Sequence, residues 1–303
     1  MSSENKGLWL GLLGVLMFSA TLPMTKLAVG SVDAPQLSPW FVTFGRAAVA
    51  GVLSIVYLLA VKASRPERKH WRMIAFTAVG VVVGFPLLMA LALQSVPSTH
   101  GAVVTGLMPL ATAIAGALWW RQKPSRGYWF CAVLGSALVL FFMAIRSYQI
   151  EGHVALHTAD IFLIGAMLIG ALGYIGGAHL TLFLGAERVI CWVLVFSLPV
   201  TLPIALWNLP TRAVAWPHWL GFAYVALFSM WIGFFAWYRA LAIGGVVRVS
   251  QVQLLQPFLS ILFAVPLVGE SMDALTVGFA LAVIATVFAG KKMPVGISKI
   301  KTL

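Results

Sequence analysis

Charged residues are scarce in this chain. Only 9% of its 303 residues are Asp, Glu, Lys or Arg, whereas 61% are hydrophobic. A soluble domain carries about 25% charged residues, because its surface must stay hydrated. This composition excludes an ordinary soluble fold and indicates an all-α polytopic membrane protein.

Cysteine and acidic residues are also few, and their scarcity excludes several kinds of chemistry. The two cysteines, Cys131 and Cys191, both lie in apolar runs, so no disulfide framework or metal site is expected. The 8 acidic residues lie at the ends of the apolar runs or between them, and HExxH, GxSxG, Walker and GxGxxG motifs are absent. We therefore expect no enzyme activity, no cofactor, no metal and no ATP-driven pump.

Apolar runs of about 20 residues, the length of helix that crosses a bilayer, recur along the whole chain. The first run continues to Val29, which favours an uncleaved helix over a signal peptide. We predict ten transmembrane helices, at roughly 7–29, 38–61, 71–93, 98–120, 125–146, 158–179, 188–209, 217–239, 247–268 and 273–290.

The net charge of +12 does not indicate a nucleic-acid partner, because the basic residues are spread over short loops and form no soluble patch. Most of them fall in loops that ten crossings would place on one side of the membrane. Basic loops face the cytoplasm. We therefore predict a multi-pass protein of the bacterial inner (plasma) membrane with both termini cytoplasmic. Its partners would be the lipid bilayer and a small-molecule substrate, with the oligomeric state left open.

The second half of the chain matches the first at a shift of 148 residues. The shift places Pro257 on Pro109, Gln253 on Thr105, and Ala240 with Leu241 on Ala92 with Leu93. Five helices per half is an odd number, so the second half would run through the membrane upside down, as in many secondary transporters. The predicted units are a first five-helix repeat at 1–146, an outer linker at 147–157, a second inverted repeat at 158–292, and a disordered cytoplasmic tail at 293–303.

The ninth run carries amides and a proline that a buried filler helix does not need. Pro257 cannot donate to the carbonyl of Gln253, so that carbonyl is left free at mid-depth. Gln253 and Gln256 would share one helical face. We predict that this face and its counterpart at Thr105 and Pro109 line a solute pathway, with both prolines as hinges.

Other candidates have a structural alternative beside the functional one. Trp231, Phe235 and Tyr238 form a stripe at helical spacing, which predicts either an aromatic wall for the solute or core packing. Arg46 lies two turns inside the second run, as an anchor reaching outward, paired with Asp33 or Asp160, or as a solute contact. The remaining candidates for substrate binding, for which helix packing is the alternative, are Thr21, Phe85, Met89, His100, Met108 and Tyr174.

These residues resemble a known family. Leu91-Ala92-Leu93 and Pro109 in the first half, with Ala240-Leu241, Pro257 and Gly269-Glu270 in the second, are similar to the EamA-type drug/metabolite transporters over about residues 7–290. Within that family, the chain resembles bacterial aromatic amino acid exporters of the YddG type. It departs from the pattern at Gln122, where a glutamate is usual. The resemblance implies an inner-membrane exporter that moves aromatic or neutral amino acids and related metabolites by alternating access. The first, third, fourth, sixth, eighth and ninth helices would line its central cavity.

Three other functions remain as alternatives. A carrier of nucleotide-sugars or phosphorylated metabolites in the same fold would need several cations at mid-depth, which the fourth and ninth runs lack. An intramembrane enzyme would need a nucleophile with a base, or a metal site. A non-transporting assembly subunit would have little use for polar faces inside the membrane.

Overall fold

The fold is known from a computed structural model that describes residues 3–96, 98–121, 123–152, 158–268 and 274–296. Almost all of these residues are helical. The α-helices are α1 Ser3–Ser19, α2 Thr21–Val29, α3 Pro39–Ala60, α4 Trp71–Thr77, α5 Phe85–Ser95, α6 Ser98–Thr105, α7 Met108–Trp119, α8 Arg126–Glu151, α9 Thr158–Leu184, α10 Ala186–Trp207, α11 Trp216–Tyr224, α12 Gly233–Gly244, α13 Val246–Ser250, α14 Gln256–Val268 and α15 Ala274–Lys292.

Six helical stretches in the described part are long and apolar enough to cross a membrane. They are Glu4–Val29, Pro39–Ala60, Arg68–Ser95, Ala159–Leu184, Ala186–Trp207 and Trp216–Gly244. Shorter apolar helices are Met108–Trp119, Arg126–Phe142 and Val277–Gly290. The chain is therefore a multi-pass helical membrane protein, and the predicted apolar runs are helical over most of their described residues.

Short polar signals set several helix ends. The Ser38 side chain accepts a hydrogen bond from the Phe41 amide at 3.0 Å and so caps α3. Ser125 caps α8 in the same way, through the Tyr128 amide at 3.2 Å. Gly185 and Gly245 have positive φ, at 83° and 82°, where α9 and α12 end and the chain turns back.

Four helical stretches change their winding in the interior of the fold. A π-helix, Ala78–Gly84, joins α4 to α5, and a second π-helix, Val225–Ile232, joins α11 to α12. A turn separates α6 from α7, and a 3₁₀ segment, Gln251–Leu255, separates α13 from α14. Such local changes of winding are typical of functional positions in helices.

Pro109 and Pro257 each occupy the second position of a helix, α7 and α14 respectively. The first turn of a helix has amides without intrahelical partners, so proline loses no hydrogen bond there. The sequence interpretation placed both prolines inside continuous helices and is corrected here, because each one opens a new helix after a break. Met108 and Gln256, the first residues of those helices, are 148 residues apart.

Close helix pairs build the bundle. α1 packs along α12, α5 along α9, α3 along α10 and α8 along α15. Glycines permit the closest approaches, since the backbone of Gly7 lies against Gly244 and that of Gly80 against Gly173. Small residues at such contacts are the usual means of packing helices in a bilayer.

The structure differs from the sequence prediction at two boundaries, the start of the linker and the start of the tail. Helix α8 continues through the start of the predicted linker to Glu151 and ends at Gly152, whose φ is 72°; residues 153–157 lie outside the described part. The predicted disorder of the tail is wrong at its beginning, because β2, Val295–Gly296, pairs antiparallel with β1, Lys123–Pro124. Backbone hydrogen bonding of both strands fixes this segment; residues 297–303 are outside the description.

Candidate functional site

The helices enclose a small cavity at the centre of the bundle. The centre of a water-sized sphere can explore about 30 Å³ of it, room for about two water molecules. The helix breaks and π-helices described above bring several of its residues into place. The cavity is lined by Phe18, Thr21, Leu22, Arg46, Val81, Phe85, Met89, Thr105, Met108, Tyr174, Ser229, Phe234 and Gln256.

Arg46 is the charged residue of this cavity. Helix α3 carries it inward, and only 4% of its surface is exposed. Its Nε atom has no hydrogen-bond partner, and no carboxylate among the described side chains, Asp33 and Asp160 included, forms an ion pair with it. Arg46 therefore does not reach outward as an anchor, and an unpaired guanidinium inside a membrane is a strong attractor for an anion.

Hydroxyl and amide groups form part of the cavity wall, between the apolar side chains. Thr21 donates a hydrogen bond to the Ser229 hydroxyl at 2.9 Å. Thr105 donates to the carbonyl of Gly101 at 2.8 Å, which leaves its oxygen lone pairs available to accept. Gln256 adds an amide with both a donor and an acceptor. The cavity can thus bind a charged group at Arg46 and polar groups at several other points.

An aromatic cluster closes one end of the cavity. It comprises Phe18, Tyr174, Phe234, Trp237 and Tyr238, and we refer to it as the aromatic plug. The ring centroids of Phe18 and Phe234 are 5.2 Å apart, those of Tyr174 and Trp237 5.5 Å, and those of Phe234 and Tyr238 5.2 Å. These are the distances of packed aromatic pairs. The plug lies between the cavity and the end of the bundle where α12 finishes.

Hydrogen bonds tie helices together on the opposite side of the cavity. The Lys26 ammonium group donates to the carbonyl of Leu93 at 2.7 Å, which ties α2 to α5. The Tyr224 hydroxyl donates to the carbonyl of Met17 at 2.8 Å, which ties α11 to α1. The cavity therefore has packed aromatic rings on one side and these two interhelical hydrogen bonds on the other.

Most residues predicted to bind solute from the sequence line this cavity. They are Thr21, Arg46, Phe85, Met89, Thr105, Met108, Tyr174 and Gln256. They come from six of the predicted helices, whereas the predicted pathway face included residues of only the fourth and ninth. Their role in binding solute remains a proposal, developed below.

Trp231 and Phe235 lie outside the cavity. Both pack against Tyr57 of α3, with ring centroids 6.5 Å and 5.4 Å from it. The predicted stripe assumed the regular α-helical period, but Trp231 belongs to a π-helix, which has more residues per turn. The cavity receives Phe234 in their place. Trp231 and Phe235 therefore fit the alternative interpretation of the stripe, which was core packing.

Three other predicted residues are near the cavity or outside the description. Tyr238 belongs to the aromatic plug, where its ring covers Gly177 and its hydroxyl has no partner. Gln253 is 2% exposed and lies close to Tyr174, although neither of its amide atoms makes a hydrogen bond. The side chain of His100 lies outside the described residues, as do Gln122, Gly269 and Glu270.

Sequence reasoning missed five residues of the cavity: Phe18, Leu22, Val81, Ser229 and Phe234. The repeat relates two of them to each other. Val81 and Ser229 are 148 residues apart, and so are Met108 and Gln256, and all four line the cavity. The shift of 148 residues does not lead from any predicted candidate to Ser229, because its equivalent, Val81, was not a candidate either. Among the described residues, no cluster of His, Cys, Asp and Glu could hold a metal ion.

A bundle of apolar helices around a small cavity that holds an arginine, hydroxyl groups and an amide is typical of membrane proteins that handle a small solute. The EamA-like transporter family model matches residues 5–144 and again residues 157–289. The chain therefore belongs to the EamA-like transporter family. The two matches cover most of both halves, so each half is an EamA unit.

Two relatives are also named as transporters, and a solved structure shares the fold. The chain is 41% identical over 294 residues to the uncharacterized transporter YdeK of Bacillus subtilis (strain 168), covering 96% of this chain and 99% of that protein. It is 25% identical over 264 residues to the uncharacterized transporter YyaM of the same strain, 82% of this chain and 81% of that one. A protein of known crystal structure shares the fold at a TM-score of 0.76, with 15% identity over 94% of this chain and 98% of its own. The names of these two relatives specify no substrate.

Proposed function

We propose that this protein is a secondary transporter that exports amino acids, aromatic and neutral ones first, and related small carboxylates across the bacterial inner (plasma) membrane. The observation that carries the proposal is Arg46, a buried guanidinium without a carboxylate partner among the described side chains, at a cavity with apolar walls. The direction of transport rests on the resemblance to amino acid exporters.

A carboxylate is the solute group that fits Arg46 best. Guanidinium binds carboxylate through two parallel hydrogen bonds, and the pair removes the cost of holding the cation unpaired in the membrane. Thr105 and Gln256 offer oxygen atoms that accept hydrogen bonds from an ammonium group. Phe85, Met89 and Phe234 form walls for an apolar side chain. A zwitterion with an apolar body satisfies all three features.

The proposed architecture is ten transmembrane helices in two inverted five-helix repeats. Three pairs of helix starts support it, at Phe85 and Gly233, Met108 and Gln256, and Arg126 and Ala274, each separated by 148 residues. Packing supports it too. α3 packs on its counterpart α10, and α8 packs on its counterpart α15. The contact of the first helix with the eighth, α1 with α12, matches that of the sixth with the third, α9 with α5.

Alternating access would come from movement of these halves around the cavity. In the proposed cycle the present conformation is the closed one, because its cavity has room for about two waters and a solute the size of an amino acid would enter only after helices separate. Opening the aromatic plug would expose one side, and breaking the Lys26–Leu93 hydrogen bond would expose the other. The breaks before Met108 and Gln256 are the proposed hinges.

Transport in proteoliposomes tests the proposal. Purified protein is reconstituted, and uptake of radiolabelled phenylalanine, tryptophan, leucine, an aromatic monocarboxylate, a sugar phosphate and a nucleotide-sugar is measured with and without a proton gradient. We expect saturable flux of the amino acids that Arg46→Gln abolishes and Arg46→Lys retains in part. The matched control is Arg239→Gln, which removes a half-exposed arginine paired with Glu187 at 3.1 Å.

The same panel decides among the alternatives. Flux of the nucleotide-sugar or sugar phosphate without amino acid flux would replace the proposal with the phosphorylated-metabolite carrier. No flux of any solute by a folded protein would favour the assembly subunit. Amino acid flux that Arg46→Gln leaves unchanged would overturn the role of Arg46 in binding.

A further inference from the structure

A second hollow, larger than the central cavity, opens on the side of the bundle between α1, the Gln251–Leu255 segment and α15. The centre of a water-sized sphere can explore about 220 Å³ of it, whereas an apolar cavity of about 150 Å³ already accommodates benzene. Its walls are formed by Leu8, Trp9, Leu12, Val252, Leu255 and Phe288. We call it the lateral groove.

The lateral groove faces the bilayer. Trp9 is 65% exposed and lies in a stretch long and apolar enough to cross a membrane, and Phe288 is 63% exposed and lies in a shorter apolar helix. Inside a membrane, such a groove is filled by hydrocarbon chains of lipid, because water cannot hydrogen-bond to apolar walls. An acyl chain is therefore the first requirement of any occupant.

The lateral groove also contains a polar group, the side-chain amide of Gln251, which hydrocarbon alone cannot satisfy. Gln251 is 3% exposed, lines the groove, and packs its side chain against Gly290 of α15. Its Nε2 atom has no hydrogen-bond partner in the described part of the chain. A buried amide donor without an acceptor is unfavourable, so an occupant with an oxygen acceptor at this depth would stabilise the site.

Positive charge marks one end of the lateral groove. Arg248 lines that end, pairs with Glu4, and donates to the carbonyl of Met293 at 3.3 Å. Lys292 lies four residues after Phe288 in α15, hence on the same helical face and one turn closer to the membrane surface. Glu4 balances one of these two cations, so the end of the groove keeps a positive charge.

We propose that the lateral groove binds one anionic phospholipid. Its acyl chain lies along Leu12, Val252 and Leu255. The ester carbonyl of its glycerol accepts a hydrogen bond from Gln251 Nε2. Its phosphate lies at Arg248 and Lys292. Basic groups at the mouth of an apolar slot are the combination by which membrane proteins select anionic headgroups.

Native mass spectrometry of the delipidated protein in detergent tests this site. The protein is titrated with phosphatidylglycerol and with phosphatidylcholine that carries the same acyl chains. We expect the first phosphatidylglycerol to bind more tightly than phosphatidylcholine. Arg248→Gln should weaken it by roughly tenfold, the effect of about one charge-assisted hydrogen bond. Gln251→Leu should weaken it by about fivefold, the effect of one neutral hydrogen bond. Arg239→Gln, which removes an arginine paired with Glu187 elsewhere, is the control and should change nothing.

Fluorescence locates the lipid independently of these variants. Phosphatidylglycerol with brominated acyl chains should quench the wild type more than Trp9→Phe, a conservative change at an exposed position. This measurement also decides the question if Arg248→Gln fails to fold. Equal affinity for the two lipids, or no loss in Gln251→Leu, overturns the proposal. So does a dimer that forms without lipid and dissociates in Gln251→Leu, because the groove would then hold a second copy of the chain.

Discussion

Thr21 in α2 donates a hydrogen bond to Ser229 in the second π-helix at 2.9 Å, and both side chains line the central cavity. The bond joins residues 208 positions apart in the chain, one from each half. It forms only while α2 and the π-helix lie side by side. It therefore stabilises the closed conformation over any conformation in which those helices have separated.

The strength of this contact can be measured with a double-mutant cycle of Thr21→Val and Ser229→Ala. We expect a coupling free energy of about 0.6 kcal/mol, the average for such bonds between membrane helices. Thermal unfolding in detergent provides the measurement. Additive effects of the two single changes would show that the hydroxyl pair contributes nothing to the closed state.

The position of Phe234 predicts which aromatic residue sets solute preference. Phe234 lines the cavity, whereas Trp231 packs against Tyr57 outside it. Phe234→Leu should lower transport of aromatic relative to aliphatic solutes by about tenfold, the scale of a lost apolar contact in a pocket. Trp231→Phe, at similar depth, should leave this ratio unchanged. The measurement is competition uptake in proteoliposomes, and a shift in the Trp231→Phe ratio instead would restore the aromatic stripe as the wall.

The position of Gly177 against Tyr238 predicts that adding a single methyl group there, as in Gly177→Ala, lowers the stability of the protein. A Cβ on Gly177 would overlap the ring of Tyr238, whose position is fixed within the aromatic plug. Gly177→Ala should cost about 1–3 kcal/mol, as overpacking does in a tight core. Gly278→Ala is the matched control, because no atom lies within 4 Å of its Cβ position. It should leave the unfolding temperature unchanged or raise it slightly.

Two buried tyrosines should respond differently to the same change. Tyr128 and Tyr238 are both 0% exposed, but only the Tyr128 hydroxyl has a partner, the carbonyl of Val247. Tyr128→Phe breaks the bond and should lower stability by about 1 kcal/mol. Tyr238→Phe removes an unpaired hydroxyl and should be neutral or stabilising. Unfolding temperatures that move equally in both variants would contradict this account.

Much of the site could be predicted from the sequence, because polar residues stand out within apolar membrane helices. Arg46, Gln256 and Thr105 each interrupt an apolar run, and a polar group there needs a partner or a cavity. The shift of 148 residues was visible in the sequence as well, because a proline recurs at that spacing, Pro109 and Pro257, and so does an Ala-Leu pair. The structure adds that Met108 and Gln256 each begin a helix. The sequence thus predicted the polar residues of the cavity better than its apolar walls.

The remaining lining residues depend on winding, which periodicity alone does not reveal. A π-helix rotates the residues that follow it relative to an α-helix, so Phe234 and not Phe235 lines the cavity. Phe18 and Leu22 are ordinary apolar residues in an apolar helix, and nothing in their type separates a lining position from a lipid-facing one. The role of the two prolines could be assigned only from the structure, because a proline in the first turn of a helix and one that kinks a helix give the same pattern in the sequence.

The small volume of the cavity affects what any binding measurement reports. When only a fraction of molecules is open enough to accept solute, the apparent dissociation constant equals the intrinsic one divided by that fraction. An open population of about 1% would thus weaken apparent binding by about a hundredfold. A solute that binds weakly in titrations is consequently compatible with tight contacts at Arg46. Variants that loosen the aromatic plug would then bind more tightly while holding the solute by fewer contacts.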